Sequence, residues 1–344
     1  MHEKINQLQQ ELYATLKQAA QSRRKIGVFR VLCYGGALLY FLGIVAMQIF
    51  VYSSGDTSFF EQYLLIIIVP LFALIIVGSI GFSTYYRKFV AAEQTSIRRI
   101  IREMFPDAKL ALLPSEVSES LLQQSNFFGS IDSRYTTGQS LGLVIFENNG
   151  RKITFRDMVM NTGTPGRGLT QTYTGSMFLV YKMMFKGIFS KRVENIAGNF
   201  RGMFADAQLE KKIKGSVVVL PDHLESRLDY LAKNIQALKN VNGNKLVTLE
   251  DVEFERYFAV YAGDEITARY VLTPAMMLRM TELKKKYNRD IMLSFNGDRF
   301  FFAVAMPEGF LTLGNSSLTS GEALKDLYDN FATAQGILND LKLT

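Results

Sequence analysis

The chain has 344 residues and carries 39 basic and 32 acidic side chains, a formal net charge of +7. Its single cysteine, Cys33, excludes a disulfide framework and a zinc site built on cysteines. Residues 1–105 hold 11 of the basic and 6 of the acidic side chains, so the rest of the chain is close to neutral. A nucleic-acid-binding domain needs a strongly basic surface, and no nucleic-acid partner is therefore expected.

Two long apolar runs follow the N-terminal segment. Residues 63–82 hold no charged side chain over about the 20 residues that a helix needs to cross the hydrocarbon core. Pro70 is compatible with this, because neighbouring helices and local adjustments satisfy the carbonyl that a proline leaves free. Residues 31–52 form the other run, which is less strongly apolar. Arg30 directly precedes it and can snorkel, so that its charged group reaches the interface. We expect residues 27–86 to form a transmembrane helical hairpin.

The charges that flank the two runs predict the orientation of this hairpin. The link, residues 53–61, has no Lys or Arg, whereas basic residues lie on the other side of both runs: Arg23, Arg24, Lys25, Arg30, Arg87, Lys88, Arg98, Arg99 and Arg102. The positive-inside rule then places both termini in the cytoplasm. A cleaved signal peptide is the competing interpretation, but the leader before the first run is too long. Because no charged residue lies mid-membrane, tethering is preferred to a transport path.

Two amphipathic helices are predicted on the cytoplasmic side. Residues 1–26 place apolar side chains at three-and-four spacing, at Ile5, Leu8, Leu12, Leu16 and Ala19. Residues 87–106 continue from the second run as a helical stalk that Pro106 ends. The first helix either joins this stalk, lies on the inner leaflet or self-associates, so a homo-oligomer remains open.

Residues 107–240 are predicted to form a β-rich cytoplasmic subdomain. After a short helix at residues 116–124, residues 141–147 and 151–160 alternate as a β-hairpin around Asn149-Gly150. Residues 161–174 form a polar loop with three glycines. It lacks the lysine and order of a phosphate-binding loop, so a surface loop is expected.

The stretch at residues 176–214 combines bulky apolar side chains with many cations. Four of these cations are candidates for contact with anionic lipid: Lys182, Lys186, Lys191 and Arg192. The alternative, ordinary strands with solvated lysines, is preferred. Residues 216–220 read as a buried strand. His223 follows in a turn, where neither a zinc site nor a catalytic triad is expected.

A turn-rich segment near residue 240 separates a C-terminal α+β subdomain, residues 241–344. Residues 258–261 predict a strand, and Thr273-Pro274 starts a helix with Met276, Met280, Leu283 and Tyr287 on one face. Residues 291–295 and 299–305 form a second hairpin around Asn296-Gly297. A final amphipathic helix begins near Ser320, with its apolar face at Leu324, Leu327, Phe331, Leu338 and Leu341.

One segment carries a recognisable pattern: Leu-Glu-x-x-x-Phe-Glu, then Phe-x-Val-Tyr, then Asp-x-x-x-Ala-Arg-Tyr-x-Leu-Thr-Pro. It is occupied here by Leu249, Glu250, Phe254, Glu255, Phe258, Val260, Tyr261, Asp264, Ala268, Arg269, Tyr270, Leu272, Thr273 and Pro274. This resembles a bacterial membrane family, domain of unknown function 3137. Weaker similarities are at residues 128–132, 153–157, 200–204 and 217–222, while the chain departs from the family near Gly138-Gln139 and residues 177–199.

The resemblance implies a membrane-tethered cytoplasmic domain and supplies no activity, so no catalytic residue, cofactor or metal ligand carries over. The candidate functional motif is Asp264, Glu265, Arg269, Tyr270, Thr273 and Pro274. Its charged residues form either a functional site or, as the simpler interpretation, an ion pair that fixes a strand-to-helix corner.

The predicted fold is therefore α+β, with a two-helix transmembrane hairpin and a cytoplasmic mixed α+β part of one or two subdomains. The expected location is the bacterial cell membrane, multi-pass, and the expected partners are membrane lipid and a protein. Binding or scaffolding is the preferred function. The alternative is a membrane-proximal hydrolase that uses Asp264, Glu265 and Arg269.

Overall fold

The computed structural model describes residues 2–54, 58–128, 136–148, 151–162, 200–209, 212–222, 244–306 and 308–340. Its helices in these ranges are α1 (His2–Ser54), α2 (Ser58–Met104), α3 (Glu119–Gln124), α4 (Val252–Glu255), α5 (Glu265–Val271), α6 (Pro274–Tyr287) and α7 (Glu322–Asp340). Its strands are β1 (Lys109–Ala111), β2 (Ser115–Glu116), β3 (Thr136–Asn148), β4 (Arg151–Thr162), β5 (Arg201–Gln208), β6 (Ser216–Pro221), β7 (Lys245–Val247), β8 (Phe258–Ala262), β9 (Ile291–Asn296) and β10 (Arg299–Ala305). The fold is mixed α+β, as predicted.

The first two helices are longer than the apolar runs they contain. α1 passes without a break from the amphipathic N-terminal segment into the first run, and α2 continues past Pro70 to Met104. The predicted amphipathic pattern of α1 is confirmed, because its apolar stripe is buried at Leu8, Leu12, Leu16 and Ala19. The link between the two helices is shorter than the predicted one at residues 53–61, since α1 ends at Ser54 and α2 begins at Ser58.

α1 and α2 contact each other in antiparallel order. A Cβ at Gly78 would lie 3.1 Å from the Cα of Cys33, and one at Gly81 would lie 2.3 Å from the ring of Phe29. The rings of Phe29 and Tyr85 stack with centroids 5.5 Å apart. Glycine at these two positions of α2 therefore allows a close approach of the helices.

Among the described residues, one helix is long and apolar enough to cross a membrane by length and composition. It covers Asn6–Phe50, with a mean hydropathy of 1.9 in its most apolar window, and 11% of that window is buried.

The strands form a ten-stranded sheet with all pairs antiparallel. Its order is β1-β3-β4-β5-β10-β9-β6-β8-β7, and β2 also pairs with β3. Both predicted hairpins are confirmed. β3 pairs with β4 through residues 136–148 and 151–162, with a register shift between Ser140 and Gly142, and β9 pairs with β10 around Gly297, whose φ is +62°. The turn at residues 149–150 lies outside the described residues.

Two further predictions are confirmed and one is corrected. β6 and β8 lie where strands were predicted, and every residue of both is buried. The helix predicted at residues 116–124 begins only at Glu119, because Ser118 is its N-cap and accepts a hydrogen bond from the amide of Leu121. Residues Ser115–Glu116 instead form strand β2, which pairs with β3.

The sheet is buried on both faces. Phe301 and Phe302 are neighbours in β10 and point to opposite faces, yet their exposed fractions are 0% and 2%. One face packs against α3 through Leu122, in a cluster that includes Phe204 and Tyr261. On the other face Phe155 contacts Phe310, which in turn contacts Phe331 of α7.

The chain divides into two compact units, and the boundary falls within α2. One unit contains Met1–Ser96, with α1 and most of α2, and the other contains all the strands. β6 precedes the predicted subdomain boundary at residues 240–241, but it lies in the sheet between β8 and β9, which follow that boundary. The predicted domain limits themselves stay predictions.

Candidate functional site

The candidate motif forms the corner between β8 and α5. β8 ends at Ala262, and Asp264 turns the chain by capping α5. Its carboxylate accepts hydrogen bonds from the amides of Ile266 and Thr267, at 3.3 and 3.0 Å, and from the Thr267 hydroxyl at 2.8 Å. The hydroxyl bond, followed by the Thr267 amide, lowers the pKa of Asp264 below its ordinary value. Asp264 therefore stays ionised near neutral pH and has an N-terminal capping role.

Arg269 connects this helix to the loop between β7 and α4. Its Nη2 lies 2.8 Å from a carboxylate oxygen of Glu265, and its Nη1 lies 3.0 Å from one of Glu250. The hydrogen bond with Glu265 is the largest cause of the raised pKa of Arg269. The arginine side chain is 42% exposed, so water screens the pair and its contribution to stability is small.

The end of the motif starts the next helix. Thr273 is the N-cap of α6 and accepts a hydrogen bond from the amide of Met276 at 3.3 Å, while Pro274 occupies the first helical turn. This confirms the helix start predicted from Thr273-Pro274. Met276 and Met280 are buried, whereas Tyr270 lies on the surface with 65% of its area exposed.

The chemistry open to this corner is limited by its partners. Asp264 and Glu265 are adjacent in sequence, but the first carboxylate binds helix amides and the second binds a guanidinium. Within the described residues, no group of three His, Cys, Asp or Glu side chains is placed to hold a metal ion. The structure thus brings Asp264, Glu265 and Arg269 together as a capped and ion-paired helix start.

Several candidate residues lie outside the described ranges. These are the basic residues considered for lipid contact, Lys182, Lys186, Lys191 and Arg192, together with His223 and most of the glycine-containing loop at residues 161–174.

The structure also contains a buried ion pair that the sequence interpretation did not identify. Arg201 of β5 binds Asp157 of β4 through both terminal nitrogens, one at 2.9 Å, and the Asp157 side chain is only 2% exposed. The amide of Phe310 donates to the same carboxylate at 3.0 Å. The pair therefore ties two strands to the segment that precedes α7. Asp157 and Arg201 lie in two stretches that show a weak family resemblance, residues 153–157 and 200–204. This weak resemblance was the sequence signal that could have identified them.

The comparison with protein families decides how far the resemblance extends. Residues 198–343 match the sequence model of a family described as "Protein of unknown function (DUF3137)". The DUF3137 match covers less than half of the chain. It contains the corner motif and Arg201, whereas Asp157 and both long helices precede it.

The other comparisons add no function. No curated protein is significantly similar in sequence. A solved structure, the crystal structure of the mycobacterial trehalose monomycolate transport factor A, TtfA, aligns over 71% of this chain and 94% of its own. The identity is 10% and the TM-score is 0.33, which is too low to indicate a shared fold.

Proposed function

We propose that the protein is anchored in the bacterial cell membrane by two spans, one in α1 and one in α2, and presents a cytoplasmic α+β module for binding or scaffolding. The observation that carries this proposal is an apolar surface on both helices. On α1 the exposed side chains include Val31 at 70%, Phe41 at 63% and Ile49 at 64%, and on α2 they include Val77 at 57% and Ile80 at 62%.

Such a surface is unfavourable in water. Soluble monomers rarely expose contiguous apolar patches of more than a few hundred Å², whereas a spanning helix presents this type of surface to acyl chains. The helix pair also buries glycines at its contact, as expected for packing between spanning helices.

The antiparallel contact supports the proposed orientation. Phe29 of α1 lies against Gly81 and Tyr85 of α2, so the basic flank of each run lies at the same end of the pair. Because the link at the other end has no Lys or Arg, the positive-inside rule assigns the basic end to the cytoplasm. The sheet-bearing part follows this end in the chain and shares its compartment.

The binding role is supported by the surface of the corner motif. Ile266 and Tyr270 are one helical turn apart on α5, and they are 77% and 65% exposed. Arg269, next to Tyr270 in the sequence, binds two carboxylates, those of Glu250 and Glu265. An apolar pair beside ordered charges is the composition of a protein-binding patch with a polar rim.

The hydrolase alternative receives less support. A general acid or nucleophile needs a free carboxyl group in a pocket, whereas Asp264 accepts three hydrogen bonds at the helix start and Glu265 binds Arg269. Both carboxylates therefore bind groups of the corner between β8 and α5.

Cysteine labelling tests the topology, because the chain has one cysteine to remove. In a Cys33→Ser background, Ser53→Cys is expected to react with a membrane-impermeant maleimide in intact cells. Ala275→Cys, an exposed position on α6, is expected to react only after permeabilisation. Labelling of both cysteines from the same side would contradict two spans.

Crosslinking tests the binding role. Mass spectrometry of crosslinked membranes would compare the wild type with Ile266→Asp, Tyr270→Ala and Arg269→Ala. Val252→Asp is the control, because Val252 is 69% exposed on α4 outside the proposed patch. A recurrent partner lost in the patch variants and kept in the control supports binding. Identical crosslinks in all variants would overturn the assignment of this patch.

A further inference from the structure

Basic and aromatic side chains from both helices contact each other in the helix pair. At the basic end, the Lys25 ammonium donates to the Tyr85 hydroxyl at 3.1 Å and lies 4.7 Å from the centre of its ring. The Lys88 ammonium lies 5.4 Å from the centre of the same ring. Two cations from two helices therefore flank one phenol.

Nearby arginines also lie over aromatic rings. The guanidinium of Arg23 is 5.2 Å from the ring centre of Phe89, and that of Arg30 is 6.0 Å from the ring centre of Phe82. The Nε of Arg30 is buried and has no hydrogen-bond partner among the described residues. These contacts hold the basic side chains close to the helix pair.

The stretches of α1 and α2 that carry the two lysines contain no carboxylate. The sequence has no Asp or Glu between Glu11 and Asp56, nor between Glu61 and Glu93. Among the residues that the structure describes, neither Lys25 nor Lys88 forms an ion pair with a carboxylate. Two ammonium groups around one ring repel each other, and an anion bound between them would attract both and offset that repulsion.

The position along the helices indicates which anion is available. Within about 12 Å of Lys25 and Lys88 along the helix axes, the surface becomes apolar at Val28, Val31 and Ile80, which are 55%, 70% and 62% exposed. In the proposed topology the lysines therefore lie at the depth of the lipid headgroups, where cations and aromatic residues concentrate and anionic lipids supply phosphate.

We infer that Lys25, Lys88 and Tyr85 bind the phosphate of an anionic phospholipid of the inner leaflet. This rests on the proposed membrane anchoring and adds a defined headgroup site to it. The two ammonium groups donate to the phosphate oxygens, and the Tyr85 hydroxyl, which accepts from Lys25, donates its own proton to the same phosphate.

Native mass spectrometry of the full-length chain in detergent tests the site. Equal amounts of phosphatidylglycerol and phosphatidylcholine would be added to the wild type and to the Lys25→Gln/Lys88→Gln variant. We expect phosphatidylglycerol adducts to dominate on the wild type and the variant to lose this preference by about tenfold or more. Lys25→Arg/Lys88→Arg is expected to keep most of it.

The control removes the same charge elsewhere on α2. Arg98→Gln/Arg102→Gln changes two exposed cations, the nearer of which is about 15 Å further along the helix from Lys88. It is expected to leave the lipid preference unchanged. Equal loss in both double variants, or equal binding of the two lipids by the wild type, would overturn the site.

Carbonate extraction of membranes separates this inference from the proposed anchoring. Retention of the wild type in the membrane with no preference for phosphatidylglycerol overturns the headgroup site alone. Release of the wild type by carbonate overturns both. Retention of wild type and lysine variant, with preference lost only in the variant, supports both.

Discussion

The ion pairs of this protein differ mainly in their burial. Arg201 and Asp157 form a two-contact pair whose carboxylate is 2% exposed and also accepts from the Phe310 amide. Arg269 and Glu265 form a similar contact with 42% and 61% of their side chains exposed. A buried charge that loses its partner cannot recover hydration, whereas an exposed one can, so the two pairs differ in their effect on stability.

The first prediction concerns the buried pair. Arg201→Gln leaves the Asp157 carboxylate, which is 2% exposed, without its cation and is expected to lower the free energy of unfolding by about 3 kcal/mol or more. The midpoint of urea unfolding, followed by pulse proteolysis of the full chain in detergent, measures the change. Arg269→Gln is the matched control, because its carboxylate partner Glu265 is 61% exposed, and it is expected to leave the midpoint nearly unchanged. An equal shift in both variants would contradict the distinction.

The second prediction concerns pH. The pKa of Asp264 is lowered in the folded state, so its capping stabilises α5 above the unfolded value of about 3.9 and is lost as pH falls through the folded pKa. Hydrogen exchange at the Ile266 and Thr267 amides should therefore increase on acidification relative to Asp264→Asn, which keeps an uncharged cap. An identical pH response in the two proteins would exclude a charged cap.

Sequence reasoning at this scale succeeded where the contact is local. Thr273 and Pro274 predicted a helix start because both capping and the first-turn preference act within a few residues. Asp264 was considered as a charge partner or as a residue of a hydrolase site, although Asp is also a favoured N-cap. The pairing of Asp157 with Arg201 joins positions 44 apart in the chain, and no local pattern specifies it.

At the scale of elements, the two longest helices continue through the changes in composition that limit the predicted segments. Gly27 and Pro70 lie within α1 and α2 without ending them. Glycine in a helix costs only about 1 kcal/mol, which a long packed helix tolerates. The change from polar to apolar side chains was predicted correctly, and the helix simply continues through it.

The third prediction tests the contact between these helices. Cys33 Sγ lies 3.5 Å from the Ser79 hydroxyl, so Ser79→Cys is expected to form an intramolecular disulfide under oxidation. Adding Gly78→Leu should prevent it, because even a Cβ at Gly78 would lie 3.1 Å from the Cys33 backbone. Adding Gly35→Leu, where a Cβ has no neighbour within 4 Å, should not. Maleimide modification after oxidation reports the free thiols, and equal protection in all variants would contradict the contact.

In the sheet, pairings between adjacent strands could be predicted from the sequence, whereas pairings between strands far apart in the chain could not. The hairpins β3–β4 and β9–β10 were predictable because a short turn joins adjacent strands. The position of β6 between β9 and β8 was not, since those pairings join strands well separated in sequence. Strand existence follows from local pattern, whereas strand order depends on packing across the whole sheet.

At the scale of the whole molecule, the proposed membrane anchoring depends on the apolar surface of the helices staying uncharged. Phe41 is 63% exposed near the middle of the first run. Phe41→Lys is expected to reduce the carbonate-resistant fraction, because a charge at the centre of a span costs roughly 3 kcal/mol on insertion scales. Tyr13→Lys, at a side chain 49% exposed on the amphipathic part of α1, is the control and should remain membrane-bound. Equal retention of the two variants would contradict a span at Phe41.

The fifth prediction concerns the completeness of the sheet. β5 is paired on one side with β4 and on the other with β10, which begins only at Arg299. A chain truncated before Arg299 is therefore expected to lose hydrogen-exchange protection on β5, even though β3, β4 and β5 are all present. Protection equal to that of the full chain would show that β10 is not needed there.

The same sheet order has a consequence during synthesis. α1 and α2 leave the ribosome long before β10. After β5 is synthesised, its edge stays without the β10 partner for roughly 5–20 s at typical elongation rates. In the proposed topology, membrane insertion can thus be complete while the central strands are still unpaired. The nascent chain would then be held at the bilayer, away from other unfinished copies, during the interval in which its exposed strand edge is most prone to aggregation.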